Sequence, residues 1–358
     1  MRIPRWGRPL NPVLARELKE RMRRKRSGFV LTVYLVLLSG ALWLLYLGAS
    51  AAGADGPGVL RLASLGRAAF QTLLFAMLIL VCFIVPGLAA GGVAGERERQ
   101  TLVPLQVTLL RPSSILFGKL AASLAFVVFL VVAALPLIGV SFLLGGVEPG
   151  EVVRGVGMVL AVATTVAALA LTCSTLMRRV QGATVLSYAL VAFLIGGTFI
   201  AFGAEMLVDR KGPRGRSQLI LALNPLVATA DVVSRVPDSD SRVPSPFTPL
   251  QSLIDERKKP KDDLVNSMVG NAWAVTVESG VAGVANFGDG GFVMKPGPDG
   301  IPLPVDGNLA VAQAAKFRPP FLNRIPMWAL ALAGYTLLSL GGLALAARKL
   351  ATPAAGER

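Results

Sequence analysis

Hydrophobic residues are concentrated in six long stretches of the chain, which polar segments separate from one another. Each stretch is long enough for a helix that crosses a bilayer, which takes about 20 apolar residues. None of the six has an Asp or Glu in its interior. The pattern therefore predicts six membrane spans, at about residues 29–49, 69–92, 117–145, 153–177, 181–203 and 326–347.

The segment before the first stretch is amphipathic. An Asn-Pro pair opens residues 10–26, with Asn as the helix cap and Pro at the first helical position. Apolar side chains then recur every four residues, at Leu10, Leu14, Leu18 and Met22. Glu17 and Arg21 form a supporting pair one turn apart. We expect a helix in the inner headgroup plane, and the alternative is a simple basic anchor.

The segment 204–325 does not fit the spanning pattern. Its apolar stretch 219–233 is interrupted by an Asn-Pro pair, so we expect short helices that rest at the outer membrane interface. Residues 272–278 alternate like a strand, and Gly and Pro dominate 280–307 as they do in turns. Either a small external subdomain or a solvated spacer fits this segment.

The distribution of Lys and Arg predicts the orientation. Ten of the first 28 residues are basic, the loop 93–116 and the tail 348–358 carry further Lys and Arg, and loops with such an excess stay in the cytoplasm. Both termini are therefore expected inside the cell. We predict an all-α polytopic membrane protein with six transmembrane helices, an N-terminal interfacial amphipathic helix and a large extracytoplasmic loop between spans five and six. The predicted divisions are 1–28, 29–203, 204–325, 326–347 and 348–358.

Composition agrees with a membrane protein. The 358 residues are 53% hydrophobic and 16% charged, with a mean hydropathy of +0.62, whereas soluble domains carry about 25% charged residues. The net charge of +15 lies mostly next to the predicted spans. No basic patch interleaved with aromatic residues is present in the sequence, so we expect no nucleic-acid partner.

The residue types present exclude several kinds of chemistry. The chain has no His, which removes His-dependent catalysis, His metal sites and His proton relays. Cys82 and Cys173 lie in apolar runs and are expected to be small buried hydrophobes. Without carboxylates inside the spans, a secondary transporter and an intramembrane enzyme both lack their working groups. A membrane scaffold or assembly protein remains an alternative to a transporter.

The inner loop between spans two and three carries the most distinctive motif. It reads Gly-Glu-Arg-Glu-Arg-Gln-Thr-Leu over residues 95–102, and four leucines that follow fall near one helical face: Leu102, Leu105, Leu109 and Leu116. A short amphipathic helix that docks a cytoplasmic partner and a solvated charged turn are both compatible with this pattern. Lys119 stands at the start of the third span, where its side chain could snorkel to the headgroups.

The order of these motifs resembles the membrane subunit of type-2 ABC exporters. The resemblance rests on the basic amphipathic helix, the Glu-x-Glu pair followed by Thr-Leu at 95–102, and the Gly-Lys pair that leads into span three. It covers about residues 11–205 and 326–350 and leaves the large loop aside. Gln100 departs from the family, which often has Gly at that position.

The resemblance implies that the loop after span two forms a coupling helix in a cleft of a separate ABC ATPase subunit. The residues it places at or beside that contact are Glu96, Arg97, Glu98, Thr101, Leu102 and Leu105. The N-terminal helix, with Leu14, Glu17, Leu18 and Arg21, resembles the family's connecting helix. The resemblance also implies a permease that forms the translocation pathway as a dimer, with a second copy of itself or a related permease. The expected location is the plasma membrane, which is the inner membrane of a bacterium.

ATP hydrolysis is expected on the partner and not on this chain. A phosphate-binding loop needs Gly-x-x-x-x-Gly-Lys followed by Ser or Thr, but Leu120 follows Gly118-Lys119. We therefore expect no cofactor and no metal in this chain, with ATP and Mg on the ATPase subunit. Inside the spans, Thr165, Thr172 and Ser187 either line a pathway or make interhelical hydrogen bonds among small residues. The substrate is not readable from the sequence.

Overall fold

The part of the chain that the structure describes contains six long apolar helices, as predicted. A computed structural model describes residues 25–51, 58–100, 112–208, 220–233, 245–251, 254, 294–296, 302–304 and 326–351. Each of the six helices has the length and apolar composition needed to cross a membrane. Spans one to four are Lys25–Ala51, Gly58–Ala89, Pro112–Leu144 and Pro149–Leu176; span five consists of Val180–Ala192, Phe193–Gly197 and Thr198–Val208; span six is Met327–Ala351.

Shorter helices follow two of the spans in the described part of the chain. Gly91–Glu98 follows span two after Ala90, and we call it the elbow helix. Pro225–Val232 follows span five in the chain, and we call it the inserted helix. The predicted N-terminal amphipathic helix at 10–26 lies outside the described residues, as does the predicted strand at 272–278.

Span four occupies the centre of the bundle. It packs against spans two, three, five and six, and sixteen of its residues from Glu151 to Thr175 are buried. Its sequence is rich in Ala, Val and Thr, and small side chains let helix backbones approach closely in membranes. A Cβ on Gly342 of span six would lie 2.8 Å from Thr172 Oγ1 of span four. Spans four and six therefore approach closely through small residues at this point.

The first turn of span four differs from the prediction. We expected this span to begin near residue 153, but the helix begins at Pro149, which occupies its first turn. Proline is favoured there because its missing N–H would have had no helical partner. As a result, Glu151 lies inside the helix and is buried, although the sequence placed every carboxylate outside the spans.

A pair of glycines joins span three to span four. Gly145 and Gly146 have φ values of +86° and +81°, a left-handed conformation that favours glycine. A Cβ on Gly146 would lie 2.1 Å from the carbonyl oxygen of Ala63 in span two. Arg67 also donates from Nε to the Gly146 carbonyl at 2.9 Å. The turn is therefore held tightly against the beginning of span two.

The inserted helix contradicts our expectation that residues 219–233 rest at the outer interface. Most of its residues, among them Val227 and Thr229, are buried, and it packs against spans four, five and six. Tyr335, two turns into span six, donates its hydroxyl to the Leu223 carbonyl at 3.3 Å. Backbone that is not helical is tolerated at membrane depth only where protein surrounds it. The segment is thus part of the bundle.

A second loop segment, Ser245 to Gln251, packs beside the inserted helix. Phe247 is buried and contacts Phe75 of span two edge-to-face, with 5.5 Å between ring centroids. Gln251 donates from Nε2 to the carbonyls of Ala230 and Val233 at 3.2 and 3.1 Å. These carbonyls belong to the end of the inserted helix, where backbone acceptors have no helical partner. Gln251 therefore caps the helix from outside.

A separate compact unit, Ser252–Ile325, contains the described strands. Met294–Pro296 (β1) pairs antiparallel with Pro302–Pro304 (β2), with Lys295 opposite Leu303. The sequence predicted turns across 280–307, and the structure adds this short hairpin within that range.

Candidate functional site

The elbow helix starts two residues after the end of span two, and Ala90 between them keeps helical φ and ψ values of −59° and −33° and donates its N–H to the Pro86 carbonyl at 2.9 Å. Pro86 has no N–H to donate within span two, and the helix ends at Ala89. A new helix then starts at Gly91, whose first N–H groups need acceptors from outside the helix. The buried hydroxyl of Ser174 in span four accepts from the N–H groups of Val93 and Ala94, at 3.0 and 2.9 Å.

The elbow helix ends in a left-handed residue. Arg99 N–H donates to the Gly95 carbonyl and Gln100 N–H donates to the Arg97 carbonyl, both at 3.1 Å. Gln100 has a φ of 57°, and among the described residues it is the non-glycine residue with a positive φ. Helices often end this way, usually with glycine. This conformation gives a physical reason why glycine would suit position 100, where this chain has Gln.

An ion pair ties the elbow helix to span three. Lys119 Nζ lies 2.7 Å from Glu96 Oε1. The Lys119 side chain is only 1% exposed and that of Glu96 is 27% exposed. We expected Lys119 to reach the headgroups, and this expectation was wrong. The ammonium group turns inward because a carboxylate on the neighbouring helix offers a charge partner, which a buried ammonium needs.

Two further side chains tie the elbow helix to the turn between spans four and five. Glu98 Oε1 accepts from the N–H of Val180, the first residue of span five, at 2.7 Å. A carboxylate at this position satisfies a free N–H and complements the positive end of the helix dipole. Arg97 Nη1 donates to the Met177 carbonyl, just after span four, at 3.0 Å.

Close packing supports these polar contacts. Ala90, Ala94 and Ala183 form a buried cluster, against which Met177 and Val180 pack. A Cβ on Gly92 would lie 2.9 Å from Leu171 Cδ2 of span four. The elbow helix is therefore held by spans three, four and five together.

The predicted docking residues fall into two groups. The charged side chains of Glu96, Arg97 and Glu98 are all engaged within the chain, at one end of the bundle. Thr101, Leu102 and Leu105 lie outside the described residues. The same holds for the predicted interfacial residues Leu14, Glu17, Leu18 and Arg21. Contact with a partner at these positions stays a prediction.

The residues proposed to line a pathway lie inside the subunit. Thr165 accepts from Ser339 Oγ of span six at 3.3 Å, and Thr172 lies against Gly342. Ser187 is buried and donates to the Ala183 carbonyl within its own helix. These contacts favour the alternative role in helix packing, and a pathway role for the three residues stays a prediction.

Sequence reasoning missed two residues of this site. Ser174 was given no role at the elbow helix, and Lys119 was assigned to the headgroups. A pattern within one helix reveals neither role, because both partners lie on other helices. The one available signal was Lys119 itself, a cation within an apolar run close to the acidic residues of the preceding loop.

The six apolar helices and the internal polar contacts at one end define a multi-pass membrane protein. The family model of the ABC-2 family transporter proteins matches residues 63–283, which is well over half of the 358 residues. The chain belongs to the ABC-2 transporter family and is a membrane permease component of an ABC transporter. A search of curated proteins gives no significant match.

The matched range complements the motifs read from the sequence. It covers the elbow helix, spans three to five and nearly all of span two. It also extends through the inserted helix into the loop that the sequence resemblance had left aside. Proteins of this family supply the transport component of the system and not the ATPase.

Proposed function

We propose that this permease is the membrane half of an ATP-driven exporter, that it works as a dimer, and that a separate ABC ATPase docks at the elbow helix. The observation that carries the proposal is the set of contacts that joins this helix to three spans at once. Glu96 pairs with Lys119 of span three, and Glu98 accepts from the first N–H of span five. N–H groups of the elbow helix donate to Ser174 of span four, and Arg97 donates to the carbonyl that follows this span.

These contacts suit the elbow helix to transmit movement. A short helix held by one loop would yield when pushed, because exposed polar contacts are individually weak. Here the Ser174 hydroxyl of span four is buried, and the bonds to Lys119 of span three and to the Met177 carbonyl after span four are partly buried. When ATP closes the ATPase pair, a displacement of the elbow helix would therefore move the nearby ends of these spans together.

The charges support a cytoplasmic position for this end. Exposed basic residues are grouped at the end of the bundle that holds the elbow helix. Arg99 follows this helix, Arg178 and Arg179 lie in the turn after span four, and Arg348 and Lys349 lie in the last turn of span six. Trp328 lies at the opposite end, in the first turn of span six. Trp43 and Tyr46 also lie toward that end, because the neighbouring Leu45 packs on the first half of span two. Basic residues inside and aromatic residues at an interface are the usual arrangement.

The exposed apolar side chains support both a lipid environment and a second copy. Spans one and five carry large apolar side chains that contact little within the subunit, among them Phe29, Trp43, Leu44, Val185, Phe193 and Ile200. Membrane subunits with such faces bury them in lipid or against another subunit. We propose that a second copy, or a related permease, covers part of this surface in the plasma membrane.

Purification of the tagged full-length protein from its native membranes tests the proposal. We expect a P-loop ATPase in the complex, together with ATP hydrolysis that the permease stimulates. Arg99→Glu reverses a charge on the exposed end of the elbow helix without touching the internal contacts, and it should reduce recovery of the ATPase. Arg154→Glu, a matched change of an exposed residue at the opposite end, should not. Recovery of no ATPase, or equal recovery with both variants, contradicts the proposal.

A further inference from the structure

Span five contains an irregular turn that the transport proposal has not used. Residues Phe193–Gly197 form a π-helical turn between Val180–Ala192 and Thr198–Val208. Turns of this kind are rare, interrupt the regular hydrogen bonding of an α-helix and are frequent at functional sites. Gly196 and Gly197 are its last two residues, and glycine restricts the backbone less than any other residue.

The side chain of Asn224 bonds to this turn. Asn224 is fully buried, and its Nδ2 donates to the Ile195 carbonyl at 3.0 Å and to Thr198 Oγ1 at 2.8 Å. Its Oδ1 accepts from the Leu226 N–H at 2.9 Å and so caps the inserted helix. The Asn224 amide therefore caps the inserted helix and also bonds to the π-helical turn of span five.

The hydroxyl of Thr198 completes the network. Thr198 Oγ1 lies 2.8 Å from the Leu194 carbonyl and 3.0 Å from the Ile195 carbonyl. In a π-helical turn the carbonyls do not all meet a backbone donor at the usual spacing, and a buried carbonyl without a donor is costly. The side chains of Asn224 and Thr198 supply donors at this place.

These hydrogen bonds lie where a small change of angle would reposition half of span five. Ile195 lies near the middle of the helical segment that runs from Val180 to Val208. The half of span five beyond the turn leads away from the elbow helix, while Glu98 holds the first residue of the other half. A change of angle at the turn would move the two halves of span five relative to one another.

We propose that Asn224 is a positioning residue that locks the π-helical turn of span five, and that transport requires the lock to open so that the far half of the span swings outward. The proposal rests on the transport function above. The inserted helix then serves as a latch, and the residue that engages span five is its N-terminal cap, Asn224.

Four variants separate the latch from the helix cap. Asn224→Ser keeps an oxygen that caps the inserted helix but is too short to bond span five. Thr198→Val removes the hydroxyl on the other side of the latch, whereas Thr198→Ser retains it. Thr229→Val is the matched control, because Thr229 is also a buried threonine and donates to the Pro225 carbonyl of its own helix.

Spin labels at Val185 and Ile200 report the angle directly. Both side chains are exposed and flank the turn, and the native Cys82 and Cys173 are buried and so protected from labelling. The doubly labelled full-length protein is diluted with an excess of unlabelled protein, so that a dimer carries labels on one copy, and is measured in lipid nanodiscs by pulsed electron spin resonance. We expect one main distance in the wild type, near the ~22 Å that 15 helical residues span. Asn224→Ser should raise a second distance population roughly tenfold, from the loss of two hydrogen bonds of the strength usual within membranes.

The expected pattern across the variants is specific. Thr198→Val should raise the second population, Thr198→Ser and Thr229→Val should not, and the effects of Asn224→Ser and Thr198→Val should be less than additive because the two side chains share one network. If Asn224→Ser lowers the thermal midpoint but leaves the distances of the wild type, or if Thr229→Val changes them equally, Asn224 has no latch role. No ATPase takes part in this measurement, so its result is independent of whether an ATPase binds at Arg99.

Discussion

The ion pair between Lys119 and Glu96 allows a prediction in which the two partners are not equivalent. The Lys119 side chain is 1% exposed and the Glu96 side chain 27% exposed. Glu96→Gln would replace the carboxylate that faces this buried ammonium with a neutral amide. Removal of one partner of a buried pair costs about 3 kcal/mol when the remaining charge has no access to water.

Lys119→Met should cost much less. Methionine fills the space of the aliphatic stem and removes the buried ammonium. The Glu96 side chain then lacks Lys119, but it is 27% exposed although its Oε2 is buried, so it lies closer to water than the ammonium did. Partly exposed ion pairs contribute about 1 kcal/mol or less. In the double variant no ammonium remains, so its stability should lie close to that of Lys119→Met and above that of Glu96→Gln.

The measurement is the free energy of unfolding of the purified protein in mixed micelles titrated with SDS. The asymmetry is the diagnostic quantity, because it follows from the difference in exposure and not from the presence of an ion pair. Equal losses for the two single variants, or a double variant with the sum of both losses, would refute the reasoning. Either result would mean that Lys119 is solvated in the folded protein.

Three further predictions concern the backbone near the same contacts and are measured by the same titration. Ser174→Ala removes the acceptor of two buried N–H groups and should cost about 2 kcal/mol. Ser187→Ala, the control, removes a hydroxyl that donates within its own helix and should cost under about 0.5 kcal/mol. Equal losses for the two variants would contradict the role of Ser174 as the cap of the elbow helix. Gln100→Gly relieves the left-handed backbone conformation of a residue that has a side chain and should stabilise the protein by up to about 1 kcal/mol. Gln181→Gly, in the first turn of span five, should destabilise it. A loss of stability at both positions would contradict the left-handed conformation at the end of the elbow helix. Gly146→Ala places a Cβ 2.1 Å from the Ala63 carbonyl oxygen and should reduce the yield of folded protein, but Gly150→Ala, where a Cβ meets nothing within 4 Å, should leave it intact; normal yield from both would show that the turn has room.

The spans could be predicted from the sequence because hydrocarbon accepts few alternatives. A run of about 20 apolar residues without carboxylates has its backbone bonds satisfied only as a helix in lipid. All six predicted spans are present, and the start of span four shows where the method loses precision. The proline at position 149 extends that helix outward and carries Glu151 into it, which hydropathy alone does not indicate.

The inserted helix could not be predicted from its own residues. Its stretch is too short to cross a bilayer and contains Asn224 and Pro225, so an interfacial position was the reasonable expectation. It enters the bundle because Asn224, Asp231 and the backbone find partners on spans five and six: the Asn224 amide bonds Ile195, and Asp231 accepts from the Trp328 N–H at 3.1 Å. Such partners are far away in sequence and leave no periodic signal.

For the elbow helix, the sequence predicted the motif but not the partners of its side chains. Its acidic and basic residues were singled out from the sequence as a motif for docking. The structure shows that the charges of Glu96, Arg97 and Glu98 are engaged by other parts of the chain. A motif identifies which residues matter, but the partners of each side chain depend on how the spans pack.

Photo-crosslinking in living cells tests the central proposal, that the elbow helix forms the ATPase contact. A benzophenone amino acid in place of Arg99 should capture a P-loop ATPase, identified by mass spectrometry of the crosslinked band. The same amino acid in place of Arg154, at the other end of the bundle, should capture none. An ATPase captured at Arg154, or none captured at Arg99, would contradict the proposed contact.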